Sequence, residues 1–160
     1  MRRSLLLFNL FIACFLVSCL FPSWVSAQEK NFRTEITNQY TVTEKGTTFV
    51  EQRFSIENLK PDIFLKQYRL SFSDPKAGQI TVSYDNKPLD ANITTASGKT
   101  EVTIVFPDEL VGQGKERNFT VSYQTTTISS VTGKVLEVHV PRIEDNQTID
   151  EISTQLITPL

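Results

Sequence analysis

Cysteine is almost missing from this chain: Cys14 and Cys19 are the only two among 160 residues, and both fall within the first 27. Beyond them, from Gln28 to Leu160, no disulfide, thiolate nucleophile or thiolate metal site can form. Histidine is scarcer still. A Ser/His/Asp array or a His-containing zinc site would have to be built on His139 alone. The one tryptophan, Trp24, also lies in the first 27 residues. A basic surplus is absent as well: past residue 27 there are 14 Lys and Arg against 18 Asp and Glu, a net charge of −4. That balance argues against nucleic acid or an anionic membrane surface as a partner, since phosphate binding needs a basic face. Past Leu20 there is no long apolar run and no helical period.

What is present begins with a leader. Met1-Arg2-Arg3 precedes an apolar run from Leu5 to Leu20, then Pro22-Ser-Trp-Val25-Ser26-Ala27. A positive start, an apolar centre and small residues before a polar junction predict a helical signal peptide over 1–27, cut between Ala27 and Gln28. The product is then secreted or held at the cell surface. Leu16-Val17-Ser18-Cys19 also fits a bacterial lipobox. In that alternative Cys19 carries lipid and tethers the protein, and membrane contact comes only through an uncleaved leader or lipidated Cys19.

After the leader the pattern changes to a period of two. Phe32, Ile36, Tyr40 and Val42 share one face, Glu44-Lys45-Gly46 makes a turn, and Val50, Phe54 and Ile56 return. This predicts a β-hairpin. Phe64, Tyr68, Leu70 and Phe72 form a third strand, and Ile80, Val82 and Tyr84 a fourth. A weaker strand follows near Asn92-Ile93-Thr94, and later ones run through Leu136 to Val140 and from Ile149 to Ile157. Between them, Val102 to Phe106 and Phe119 to Tyr123 alternate cleanly and flank a connection from Pro107 to Arg117. They read as a long-looped pair. The seven Phe and four Tyr of 28–160 are expected almost entirely on the inward faces. About eight short strands punctuated by turn residues predict an all-β, antiparallel, immunoglobulin-like sandwich over 28–143. Residues 144–160 read as a linker and the start of a further strand or domain.

The candidate chemistry is thin. His139 alternates with Val138 and Val140 and is expected to face outward, and no Gly-x-Ser-x-Gly elbow accompanies it. Asp108-Glu109, Glu144-Asp145 and Asp150-Glu151 lack a calcium-loop pattern and read as solvated loop charge. Gly112-Gln-Gly114-Lys115 precedes a strand and not a helix, so it lacks the helix N-terminus of a phosphate cradle and reads as a turn. Asn92, Asn118 and Asn146 each begin an Asn-x-Thr sequon, which carries no meaning in a bacterium. No catalytic, cofactor or metal residue is assigned.

Several stretches together are similar to the N-terminal region of secreted bacterial transglutaminase-like proteins with a papain-like fold. They are Phe32-Arg-Thr34, Ile56-Glu-Asn58-Leu59, Ile104-Val-Phe106 leading through Gly112-Gln-Gly114-Lys115 to Phe119, Gly133 to Val138, and Val140-Pro141. The resemblance implies a signal peptide followed by a β-sandwich ahead of a catalytic domain. No Cys, His or Asp of that catalytic domain has a matching position here. The chain is therefore expected to be non-catalytic: an accessory module whose partner is a downstream domain or another surface protein, met through an outer face or an edge such as Val135–Val140. The alternative is a free-standing envelope adhesion or binding module. An enzyme in its own right would need carboxylates or His139 to converge in a pocket.

Overall fold

The computed structural model describes residues 30–74, 76–140 and 149–159. Eleven strands follow in order: β1 (Phe32–Val42), β2 (Thr48–Asn58), β3 (Phe64–Phe72), β4 (Gly78–Tyr84), β5 (Lys87–Leu89), β6 (Ala91–Ala96), β7 (Lys99–Val111), β8 (Glu116–Thr125), β9 (Ser129–Thr132), β10 (Val135–Val138) and β11 (Glu151–Ile157). They form a six-stranded sheet in the order β11-β1-β2-β8-β4-β5, a three-stranded sheet β3-β7-β6 and a small β9-β10 pair. The expected all-β sandwich is what forms.

The alternation in the sequence explains why these strands bury what they do. In β1 the even residues from Thr34 to Val42 are buried, in β2 those from Thr48 to Asn58, and in β8 the odd residues from Arg117 to Thr125. These faces meet Leu65, Tyr68 and Leu70 of β3 and Val102, Ile104 and Phe106 of β7 in one apolar core. Phe119 is its hub. Its ring stacks on Phe54 at 4.8 Å and meets Tyr68 at 5.3 Å and Phe106 at 5.4 Å. Each such ring contributes on the order of 2–3 kcal/mol by leaving water. A second, smaller core of Tyr40, Val50, Tyr123 and Ile128 lies at the end covered by Val138 of β10.

Several expectations change. The stretches 102–106 and 119–123 are not a pair: β7 lies in the three-stranded sheet and β8 in the six-stranded one, facing across the core. The connection between them is also short. β7 continues through Pro107 to Val111, and the crossing is made by residues 112–115, with Gly112 and Gly114 at φ 104° and 74°. Continuation is possible because β7 bulges. Leu65 pairs with Leu110 while Gln67 pairs with Val105, so the residues between Val105 and Leu110 outnumber those opposite on β3. The same irregularity reverses the alternation in β3, burying Leu65 and leaving Phe64 55% exposed. Phe49, on the outer face of β2, is 45% exposed, so two of the seven phenylalanines lie outside the core.

Two short strands were hidden as turns. β5 follows a two-residue reversal in which Asp85 and Asn86 adopt φ 51° and 59°, and β9 lies in the polar stretch after Tyr123. The weak strand near Asn92 forms as β6 and pairs with β7. The strand expected over Ile149–Ile157 forms as β11 and joins the six-stranded sheet beside β1, parallel to it. That makes the large sheet mixed. The boundary expected at 143/144 lies outside the described residues.

Candidate functional site

The residues between the buried ones decide the character of the other face of the large sheet. Cross-strand register places them in rows: Glu35, Ser55 and Asn118; Thr37, Arg53, Thr120 and Ser83; Gln39, Glu51, Ser122 and Thr81; Thr41, Phe49 and Gln124. Ten of these fourteen are hydroxyl or amide side chains, which can both donate and accept hydrogen bonds. The face has two shallow hollows. One of about 430 Å³ is lined by Glu35, Arg53, Ser83, Asp85, Asn118 and Thr120, among others. The other, of about 490 Å³, is lined by Gln39, Phe49, Glu51, Thr81, Ser122 and Gln124, among others. Arg53 belongs to the first and Glu51 to the second, and the two side chains form an ion pair at 2.5 Å. In the second hollow, the Gln124 side-chain amide donates to Oε1 of Gln79. Such a surface can hold a polar, extended ligand or a neighbouring domain through hydrogen bonds, with Phe49 supplying one apolar contact.

A third hollow, of about 380 Å³, sits at the rim between Tyr84, Lys87, Leu89 and Asp108. Behind it lies Arg117, whose side chain is only 1% exposed. Its guanidinium lies 4.3 Å from the Phe106 ring centre and 5.1 Å from that of Tyr84. Nη1 donates to the Asp108 carbonyl at 3.1 Å and Nη2 to the Asp108 carboxylate at 3.0 Å. The β7 bulge is what brings Asp108 to this place. Burial raises the Tyr84 phenol above its usual value, opposed by the charge of Arg117.

The carboxylate pairs stay apart. Asp108 serves Arg117, Glu109 meets Lys66 at 3.4 Å, and Asp150 accepts from Lys30 at 2.7 Å. Asp150 also binds the Thr34 backbone in both directions, accepting from its N–H and donating its own N–H to its carbonyl. These bonds, led by that from Lys30, hold the Asp150 carboxyl below the usual carboxylate range. Among the described residues, no three His, Cys, Asp or Glu side chains group as metal ligands would. His139 is exposed, and its backbone N–H donates to the Ile128 carbonyl. Gly112 to Lys115 is a turn, closed by Lys115 N–H to Gly112 carbonyl at 3.4 Å and tied to Asn58 by Gly114 N–H at 2.7 Å. Asn92 is exposed on β6 and Asn118 on the outer face of β8. Cys19, Ala27, Gln28, Asn146 and the 144–145 carboxylates lie outside the described residues.

The buried polar residues were not anticipated: Thr34, Asn38, Gln52, Asn58 and Arg117 on strands and Asp74 in a turn are all buried. For the polar face, a signal was available. After Glu116, the outward positions of β8 read Asn118, Thr120, Ser122 and Gln124, with none of the Lys and Glu that usually solvate a strand.

No protein-family model and no curated protein matches the chain. Solved structures do. Yeast LTA4 hydrolase, in complex with bestatin, matches 90% of this chain over 27% of its own, with a TM-score of 0.55 and 13% identity. An M1 zinc metallopeptidase from Deinococcus radiodurans, bound to a Tyr-Ser-Ala substrate, matches 65% of this chain over 22% of its own, with a TM-score of 0.46 and 14% identity. The chain thus spans about a quarter of the length of either. At such identity the likeness to the hydrolase is one of fold.

Proposed function

We propose that the chain is a non-catalytic, exported β-sandwich module that forms the N-terminal part of a larger cell-surface hydrolase of the transglutaminase-like or peptidase-like kind. One observation carries this reading: the fold recurs over nine-tenths of this chain as about a quarter of a much longer hydrolase. The transglutaminase-like assignment draws only on the sequence stretches named above. In this role the module positions or shields a neighbouring domain, and the polar rows on the large sheet supply the contact. The test is to read the gene past codon 160. A frame that continues into a hydrolase domain supports the module, and a stop codon at that point overturns it. The purified chain should also hydrolyse no aminoacyl-anilide and join no amine to a glutamine donor. Turnover that co-purifies with the chain would refute the non-catalytic role.

A second reading, a free-standing envelope binding module, is favoured by the two open hollows on the polar face. Mass spectrometry of the mature N-terminus distinguishes its tethered form, which begins at acylated Cys19, from a secreted form that begins at Gln28.

A further inference from the structure

Among the described residues four strands end the two larger sheets, and two of them, β5 and β3, carry features that discourage pairing. β5 has three residues, including Lys87 and Pro88. β3 carries Lys66 and Arg69 and is irregular between Leu65 and Gln67. β6, Ala-Asn-Ile-Thr-Thr-Ala, lacks charge and proline as well, but it offers a partner only one large apolar side chain, Ile93. Charge, proline, brevity and bulges are the usual protections of a sheet edge. β11 has none of them except Glu151 at its start. It runs Glu-Ile-Ser-Thr-Gln-Leu-Ile over seven residues, all exposed, and among the described residues it pairs only with β1.

Its register with β1 sets which side chains face which way. Ile152 lies beside Ile36, Thr154 beside Asn38 and Leu156 beside Tyr40, so these three extend the inward-facing row of β1. Yet Ile152 is 50% and Leu156 44% exposed, while Ile36 and Tyr40 are buried. The apolar row continues past the point where the described strands cover it.

We propose that β11 is a self-pairing edge, and that its partner is β11 of a second copy of this chain, antiparallel about a two-fold axis at Thr154. The strand is complementary to itself in this register. Ile152 stands opposite Leu156 of the second copy and Leu156 opposite Ile152, giving two apolar pairs on the inward side. Ser153 stands opposite Gln155, and Thr154 opposite Thr154. The two Glu151 side chains fall at opposite ends, each against an Ile157, so no like charges meet. Apolar and hydroxyl cross-strand pairs of this kind are the stabilising unit of an antiparallel ladder. A two-fold pairing of identical patches also closes on itself and stops at a dimer. A single strand pair falls in the small class of interface, below about 1,200 Å² in total. Dissociation is therefore expected in the micromolar range. This inference rests on the edge alone and is independent of the function proposed above.

The experiment combines sedimentation with cysteine cross-linking. The chain should sediment as a concentration-dependent dimer. Thr154→Lys, which sets two ammonium groups face to face at the axis, should weaken the dimer by about tenfold with circular dichroism unchanged. In a chain carrying Cys14→Ser and Cys19→Ser, Thr154→Cys should form an interchain disulfide under mild oxidation. Opposite residues of an antiparallel pair lie about 4.5–5.5 Å apart, within disulfide reach. Ser153→Cys, whose counterpart is displaced by two residues, should cross-link poorly. A monomer at all concentrations overturns the proposal. So does equal cross-linking at 153 and 154, or a dimer indifferent to Thr154→Lys. In a monomer, slow hydrogen exchange at the alternate β11 amides that point away from β1 also overturns it, because another part of this chain would then cover the edge.

Discussion

Arg117 is a buried cation with a half-solvated partner, and this asymmetry decides what its neighbours are worth. Its stem and guanidinium lie against Phe106 and Tyr84, whereas the Asp108 side chain is 59% exposed. Removing Asp108 therefore strands a charge in the core, while removing Arg117 leaves a carboxylate that water can solvate. Asp108→Ala is expected to lower unfolding free energy by about 1–3 kcal/mol. Arg117→Met keeps the apolar packing and should stay within about 1 kcal/mol of the parent. Urea midpoints of the two variants check the order, and a costlier Arg117→Met would mean the ion pair itself stabilises the fold. Tyr123 makes a second residue-scale case. Burial above all, then the nearby Tyr40 and Asp74, push its phenol far above the usual value of 10.0. The folded state holds the neutral form, so its contribution is complete below about pH 10 and is lost as pH rises beyond that. An absorbance titration should show Tyr123 ionising only together with unfolding.

At the scale of elements, Asp150 pins β11 to β1. It accepts from Lys30 and from the Thr34 N–H and donates to the Thr34 carbonyl at 2.8 Å. Because these bonds lower its pKa from 3.8, the stabilisation they give is present above about pH 4 and lost as pH falls through the lower native value. Asp150→Asn should be less stable than the parent at neutral pH, and the difference should close on acidification. Urea unfolding across that range reads it. The strands that alternate cleanly, β1, β2 and β8, were legible in the sequence because one face is covered from end to end. β3 and β7 were legible only in part. Their bulge switches which parity is buried, and no local pattern announces it. β5 and β9 were missed because Lys-Pro-Leu and Ser-Ser-Val-Thr are too short to show a period and look like turn, and only pairing makes them strands. Arg117 was missed because a charged residue at the end of a turn reads as solvent-facing. Its burial depends on two rings and a carboxylate from other strands. The polar hollows are lined by residues from β1, β2, β4 and β8, and only the pairing order brings those strands together.

For the whole molecule, the ordering of the strands matters more than any contact. β2 pairs with β8 across some sixty residues of chain, and β1 with β11 across more than a hundred, as in Glu35 with Glu151. Domains dominated by such pairings refold in about milliseconds to seconds, not microseconds. Stopped-flow tyrosine fluorescence should find a rate in that slow range, and a microsecond phase carrying the full amplitude would contradict it. The parallel seating of β11 adds a constraint in time. A chain made from its N-terminus presents β1 first and the strand that closes its outer side last. The β1–β2 hairpin must therefore wait, one flank unoccupied, for the rest of the domain to emerge. Any extended segment that meets it during that wait competes for the place of β11, so chaperone holding during synthesis should protect this flank in particular.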